Sequence, residues 1–272
     1  MMGNEYLATG FGSVDDAEDT DVYSHCLALL DSLPYYQDYK TESYRLLALA
    51  PGDKVLDAGC GLGDDVFRMA ELVGAGGKVT GLDASEKLIA KAMADQRGQR
   101  LSVEFRTGDL LATEFEDGRF NKVRIDRVLQ HIADPARAIA ELVRVLQVGG
   151  ILLAYDNDWG TFTINSEQQD VTRRIENAWC DSFKSGWVGR YIPQWFKEAG
   201  LSQIAIHPKI SIINDFQTAD AIYNLGQTVS LLIEAGEISA DSGRRWLEEL
   251  QVRTEQGYFT ATLTAYSVTG RK

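Results

Sequence analysis

Cysteine and histidine are scarce in this chain of 272 residues, and basic residues are outnumbered. The three cysteines, Cys26, Cys60 and Cys180, are scattered and form no CxxC pair, so neither a disulfide framework nor a zinc site is suggested. No metal is expected. The 27 Lys and Arg against 40 Asp and Glu leave a formal net charge of −13. Broad contact with a nucleic-acid backbone draws on Lys and Arg, so this balance argues against a nucleic-acid partner. No stretch approaches the ~18 apolar residues of a membrane helix, so no membrane partner is expected. No basic segment leads into an apolar one at the start, so a secretory leader is not expected and the reading is a reduced, cytoplasmic protein.

What is present is an ordinary globular balance, 44% hydrophobic and 25% charged, which rules out a collagenous or low-complexity chain. The length is ample for a sizeable core. Residues 1–40 hold eight acids and one base, Lys40, together with Tyr23, Tyr35, Tyr36 and Tyr39. The first 20 or so residues read as a mobile tail, and Asp21 to Leu49 as helix interrupted near Pro34. From Lys54 the chain alternates strand, turn and helix. Lys54–Ala58, Lys78–Asp83, Ser102–Arg106, Lys122–Asp126 and Ile151–Tyr155 read as strands. Val66, Met69, Ala70 and Val73 mark one helical face; Ile139, Leu142, Val143 and Leu146 mark another, closed by Gly149-Gly150. Ser85 is placed to cap a helix running to about Arg97. Such alternation with short loops implies a parallel sheet covered on both faces. Beyond it come an aromatic helical stretch, a strand near Leu201–Ile213, helices over about 216–235 and 240–254, and a last strand, Tyr258–Val268. No linker divides the chain. Residues 1–45 read as tail and helical lid, 46–272 as one domain, and 215–256 as an insertion within it.

The strongest motif is Val55-Leu-Asp-Ala-Gly-Cys-Gly-Leu-Gly63, which follows a strand and precedes a helix. Glycine at 59, 61 and 63 permits a sharp turn and lets a ligand lie against bare backbone. A dinucleotide fingerprint is G-x-G-x-x-G, so the third glycine here comes one residue early, and Asp64 and Asp65 stand where a pyrophosphate would approach. A diphosphate ligand is therefore disfavoured. Asp83, 20 residues after Gly63 at a strand end, either accepts both hydroxyls of a ribose or is an acid at a helix start. Asp109 in Gly108-Asp109-Leu110 either accepts from an adenine amino group or closes an Asx-type turn.

VLDAGCGLG, GLDAS, GDLL, RVLQHIADP and RVLQVGGILLAYD resemble, in order and spacing, the motifs of class I S-adenosylmethionine-dependent methyltransferases. The resemblance spans roughly Arg45–Asp156 and is nearest the branch holding ubiquinone/menaquinone and natural-product methyltransferases. It implies an α/β, Rossmann-like, doubly wound seven-stranded sheet, mostly parallel with one antiparallel C-terminal strand. It implies S-adenosyl-L-methionine as cofactor, with Gly59, Cys60, Gly61 and Gly63 along its methionine and ribose part and Asp57 beneath them. Asp83 would hold the ribose, Ala84 would lie by the adenine, and Gly108, Asp109 and Leu110 would bracket it. Asp126 and Arg127 would lie near the methionine end. Family members often read Phe-Asp-x-Val where this chain has Phe120-Asn-Lys-Val123.

Methyl transfer asks the protein mainly to align acceptor and methyl and to exclude water. His131 is the candidate base by type and position, or else a histidine fixing the loop before a helix. Tyr36, Tyr39, Asp156 and Trp159 are the candidate acceptor contacts. Trp179 and Trp187 belong to the same aromatic set, and Arg190 either meets an acidic substrate group or is structural. The expected substrate is a small, apolar or aromatic metabolite methylated at O, N or C. The rival readings are a nucleic-acid methyltransferase and a non-catalytic cofactor-binding protein. Against the first, Asp126-Arg-Val-Leu129 stands where amino-methylating DNA enzymes carry [DNS]-P-P-[YFW].

Overall fold

The computed structural model describes residues 7–12, 14–16, 21–95, 97 and 100–272. Most of the expected mobile tail, residues 1–6, 13 and 17–20, lies outside them. Seven strands form one sheet: β1 (Lys54–Ala58), β2 (Lys78–Asp83), β3 (Val103–Thr107), β4 (Phe120–Asp126), β5 (Leu146–Ile164), β6 (Ser202–Ile213) and β7 (Ala261–Arg271). Their order is β3-β2-β1-β4-β5-β7-β6. The pairs among β1 to β5 are parallel, and β7 runs antiparallel to both β5 and β6. Six strands thus share a direction and one opposes them, as the resemblance implied.

Strand β1 buries Val55, Leu56 and Ala58 completely, so both faces of the sheet need cover. Helix α4 (Asp64–Val73) supplies it with Val66, Met69, Ala70 and Val73, and α5 (Glu86–Ala94) with Leu88, Ile89 and Ala92. Ser85 caps α5 by accepting from Leu88 N–H at 3.1 Å. On the opposite face, α6 (Pro135–Val145) buries Ile139 and Leu142 beneath Asp134, whose carboxylate accepts from Arg137 N–H at 3.0 Å. Two apolar clusters result, one on each face of the sheet.

Beyond α1 (Leu7–Gly10), the N-terminal segment forms α2 (Asp21–Ser32) and α3 (Pro34–Leu46), with Pro34 in the first turn of α3 where its missing N–H costs nothing. Helices α7 (Gln169–Asp181) and α8 (Val188–Glu198) follow β5, and α9 (Phe216–Tyr223), α10 (Leu225–Glu234) and α11 (Ala240–Glu255) fill the expected insertion between β6 and β7. The stretch read as one helix over 216–235 divides at Asn224, which turns left-handed (φ 45°) and ends α9. Helix α6 stops at Val145, ahead of Gly149-Gly150; those glycines lie in an irregularity where β5 rejoins β4, and Gly149 N–H donates to Lys272 O at 2.8 Å. The last strand begins at Ala261 and runs on to Arg271, because it is zipped to β5 and β6 along its whole length. Among the described residues no helix is long and apolar enough to cross a membrane.

The connections reverse between β1 and β4: β2 and β3 lie to one side, β4 and β5 to the other. The crevice at the carboxyl ends of β1 and β4 is where ligands enter open α/β sheets.

Candidate active site

The chain leaves β1 through three left-handed glycines, Gly59 (φ 77°), Gly61 (φ 53°) and Gly63 (φ 79°), each for a different reason. A Cβ on Gly59 would stand 2.2 Å from Val128 Cγ2, and one on Gly63 2.7 Å from the Phe105 ring. A Cβ on Gly61 would meet nothing nearer than Leu27 Cδ1 at 3.6 Å, because this residue faces a cavity. Asp83 fixes the loop: one carboxylate oxygen accepts from Gly61 N–H (2.8 Å) and the other from Ser85 N–H (3.0 Å). The Ala84 N–H also bonds this carboxylate, and since a carboxylate has about four lone-pair directions, capacity remains for a further donor. Burial raises the pKa of Asp83, while the Ser85 and Gly61 N–H groups oppose that rise.

The cavity has a volume of about 260 Å³ and is lined by Asp57, Gly59, Cys60, Gly61, Asp83, Ala84, Asp109, Leu110, Asp126, Arg127 and His131. Two residues expected there stand behind the wall: Gly63 packs on Phe105, and Gly108 donates its N–H to Asp83 O at 2.9 Å. Asp109 closes the Asx-type turn, accepting from Leu111 N–H at 2.8 Å, and still lines the cavity. Phe11, Gly12 and Val14 close the cavity from the N-terminal side. Asp15 anchors that segment, its carboxylate accepting from the Ser85 hydroxyl, Glu86 N–H (2.8 Å) and Lys87 N–H (3.3 Å) at the start of α5.

The floor is a network of buried charges. The guanidinium of Arg124, 1% exposed, meets Asp57 (3.0 Å), Asp65 (3.3 Å), Asp126 (2.5 Å) and the Ser43 hydroxyl (3.2 Å). Lys40 adds a second cation to Asp65 at 2.9 Å, and Arg68 clasps Asp31 at 2.7 and 2.8 Å. Tyr44 donates to Asp65, and Tyr39 reaches both oxygens of Asp126 at 3.2 Å. Burial opposes ionisation of Asp65, yet Arg124 and Lys40 hold its pKa below the usual carboxylate range. Asp57, equally buried but with Arg124 as its cation, is raised. These contacts tie α2 and α3 to β1, β4 and α4. Tyr39 therefore lies behind the cavity, stacked on Tyr155 at 4.0 Å.

A smaller chamber of about 50 Å³ adjoins the first, sharing Phe11, Arg127, Gln130 and His131. Its other walls are Cys26, Leu30, Tyr36, Asn157, Trp159, Trp179, Phe183 and Ile222. Trp159 stacks on Phe183 at 4.8 Å, and Trp179 stands edge-on to both. Gln130 organises the boundary: its Oε1 accepts from Trp159 Nε1 (2.8 Å) and Asn157 Nδ2 (3.4 Å), and its Nε2 lies 3.1 Å from His131 Nε2. The His131 ring is held between Phe11 and Phe183. Asp156 lines neither cavity. It is fully buried and accepts from Gln130 N–H (3.2 Å) and Asn157 N–H (2.9 Å), and burial pushes its pKa up to about 7. Asp158 is bound by Arg190 at 2.7 Å, away from both chambers.

The structure thus gathers most of the candidate cofactor residues, with His131, around one cavity, and sets Tyr36 and Trp159 around its neighbour. The sequence reading overlooked Phe11, Gln130, Asn157 and Phe183, and the whole Arg124 network. Gln130 sits beside His131 inside RVLQHIADP, and four acids close to the glycine motif (Asp57, Asp64, Asp65, Asp83) were a signal that a buried cation was needed. Asn121, the departure from Phe-Asp-x-Val, ties strand ends together: it accepts from Lys54 N–H (2.8 Å) and donates to Asp53 (2.6 Å).

Residues 49–200, more than half of the chain, match the methyltransferase domain family model. A 37.1 kDa protein of transposon TN4556 from Streptomyces fradiae is 35% identical over 85% of this chain, which spans 66% of that relative's length. A demethylmenaquinone methyltransferase of Bacillus cereus is 31% identical over 65% of this chain and 81% of its own. Phosphoethanolamine N-methyltransferase 2 of Haemonchus contortus, solved with S-adenosylhomocysteine, superposes with a TM-score of 0.60 at 14% identity, over 96% of this chain and 60% of that one. That likeness is one of fold. The chain belongs to the class I S-adenosylmethionine-dependent methyltransferases.

Proposed function

We propose that the protein methylates a small, apolar or aromatic metabolite, whose acceptor end meets the aromatic wall of Phe11, Tyr36, Trp159, Trp179 and Phe183 beside the cofactor cavity. The observation that carries this reading is the shared boundary. The two spaces have Phe11, Arg127, Gln130 and His131 in common, so a flat apolar ligand in one lies next to whatever fills the other. Aromatic walls with a few polar tips suit such a ligand. The Bacillus cereus relative, named for demethylmenaquinone, agrees with a small-molecule acceptor.

The larger cavity fits S-adenosylmethionine. Gly61 leaves open the space its Cβ would take, Ala84, Leu88, Leu110 and Val14 offer apolar surface for a purine, and Asp83 has acceptor capacity for ribose hydroxyls. Asp109 is the acceptor for the amino group of the base. When bound, the cofactor supplies a methyl carbon on a positively charged sulfur, which keeps the bonding pair when an acceptor takes the methyl. The remaining work is done by side chains. Gln130 fixes Trp159 and His131, Asp156 fixes Gln130, and Phe11 and Val14 shut out water. His131 either removes an acceptor proton or holds the loop; its Nε2 already faces the Gln130 amide.

Methyl transfer from labelled S-adenosylmethionine across hydroxylated aromatics, aliphatic amines and oligonucleotides tests the reading. Turnover confined to the aromatic set is expected. Turnover confined to oligonucleotides or to aliphatic amines overturns it.

A further inference from the structure

Arg127 stands at the end of β4 in a left-handed conformation (φ 56°), which strains any side chain with a Cβ. Its backbone N–H is pinned to Tyr155 O at 2.8 Å, so the strain is built in by the sheet. Its Nε is buried without a hydrogen-bond partner among the described residues. The nearest carboxylate oxygen, Asp126 Oδ1, is 3.8 Å away, and Asp126 is already engaged by Tyr39 and Arg124. The guanidinium lies 5.2 Å over the Tyr36 ring. Tyr36 and Cys26 line the aromatic chamber and not the cofactor cavity. Burial pushes the Cys26 thiol up to about 11 and raises the Tyr36, Tyr39 and Tyr35 phenols, so none of these neighbours is anionic at neutral pH. A largely buried cation in this setting is costly until an anion joins it.

We propose that Arg127 is the anchor for an ionised hydroxyl of the acceptor, a phenolate or enolate held where the aromatic chamber opens toward the cofactor cavity. This assignment rests on the methyl-transfer reading above and narrows it to acceptors with an acidic hydroxyl. The shared chemistry is an oxyanion, and the other source of one is the carboxylate at the amino-acid end of the cofactor. The position over Tyr36 and beside Cys26 favours the acceptor. The hydroxyl proton goes to solvent as the acceptor enters, leaving an oxygen lone pair for the methyl carbon. No side chain then needs to take a proton at the moment of transfer, which agrees with a His131 ring already held by Gln130, Phe11 and Phe183.

The probe is 4-nitrophenol, whose phenolate absorbs visible light and whose neutral form does not. Its spectrum is titrated in the presence of S-adenosylhomocysteine, with 4-nitroanisole as the neutral comparator. The wild-type protein is expected to bind the probe as phenolate and to lower its apparent pKa, and 4-nitroanisole to compete poorly. Arg127→Asn removes the cation and tolerates the left-handed backbone. It should weaken phenolate binding roughly ten- to hundredfold, the span of a hydrogen bond to a charged group. Its affinity for S-adenosylhomocysteine should fall far less than its affinity for the phenolate, and its melting temperature without ligands should hold or rise. Arg127→Lys should restore part of the phenolate affinity. Binding of the probe in its neutral form, or equal binding by Arg127→Asn, overturns the proposal. A fall in S-adenosylhomocysteine affinity with the phenolate unaffected overturns it in favour of the cofactor carboxylate. If the wild-type protein binds the phenolate in this way but turns over only aliphatic amines, the anchor stands and the acceptor reading falls.

Discussion

Arg124 and Arg127 stand three residues apart on one strand end and live in opposite circumstances. Arg124 is enclosed by Asp57, Asp65, Asp126 and Ser43, so its charge is neutralised and its donors are used within the fold. Arg127 has a strained backbone, a buried Nε without a partner and its nearest acid at 3.8 Å. Arg124 is 1% exposed and Arg127 16%, so both are largely withdrawn from water and exposure is the smaller part of the contrast. The difference is partners. A buried cation whose acids come from two other elements and its own strand is part of how helix and sheet are held together. One without them is an open valence that a ligand can fill.

The largest expected effect breaks the closed half of this comparison. Arg124→Met leaves Asp57, Asp65 and Asp126 buried, with Lys40 at Asp65 and Arg127 3.8 Å from Asp126 as remaining cations, and removing one partner of a buried pair typically costs about 3–5 kcal/mol. Urea unfolding should show a loss of that order, while Arg127→Asn shows little or none. Equal losses in the two variants mean that the distinction between them is false.

Buried acids repeat the contrast, and pH reads it. Asp65 has cations, and its folded pKa lies below 3.8; its contribution is present above 3.8 and is lost as pH falls through the folded value. Asp156 has only two N–H donors and titrates near 7, above its unfolded 3.8. Its contribution is therefore full below 3.8 and is lost as pH rises through 7, by at most about 4 kcal/mol. Melting temperature followed from pH 4 to 8 should fall less steeply in Asp156→Asn than in the wild type. Parallel curves for the two proteins mean that Asp156 ionises as freely when folded as when unfolded.

How much of this could be read in advance follows the same division. The strands, the helical faces and the glycine loop were legible because period, glycine spacing and caps are local signals: Ser85, Asp134 and Pro34 do at the helix starts what their types predict. Asp83 and Asp109 were legible because they follow strand ends. Arg124 was not, since its three acids come from β1, α4 and its own strand and converge only in the folded chain. Asp156 was expected to meet an acceptor because it follows a strand. The continuation of β5 to Ile164 instead turns it inward, where it holds Gln130. The single helix expected over 216–235 failed at Asn224, where a left-handed residue in an otherwise apolar pattern gave no periodic warning.

A smaller effect sharpens the comparison from the cofactor side. Asp83 accepts from the Gly61, Ser85 and Ala84 N–H groups and keeps acceptor capacity beyond these for a ligand. Asp83→Ala should weaken S-adenosylhomocysteine binding by roughly 1.5–3 kcal/mol, the range for hydrogen bonds to a charged group. Calorimetry on a variant that still folds measures this. Undiminished affinity reduces Asp83 to a support for the glycine loop.

The smallest effect separates two parts of the N-terminal region that both cover the site. Helices α2 and α3 are fixed by Lys40–Asp65, Arg68–Asp31 and Tyr39–Asp126, all of them wholly or partly buried. The residues that close the cofactor cavity, Phe11, Gly12 and Val14, depend instead on the neighbouring carboxylate of Asp15 at the start of α5, a surface attachment with the character of a helix cap. Losing a cap of this kind costs about 0.5–2 kcal/mol. Asp15→Ala should therefore speed amide exchange in residues 14–16 and at Glu86 and Lys87, and hasten release of S-adenosylhomocysteine, while exchange across α2 and α3 stays slow. The comparison between the two parts fails if α2 and α3 exchange as fast as residues 14–16 in the variant. In that event the region opens as one body, and the buried ion pairs do not hold the helices independently of Asp15.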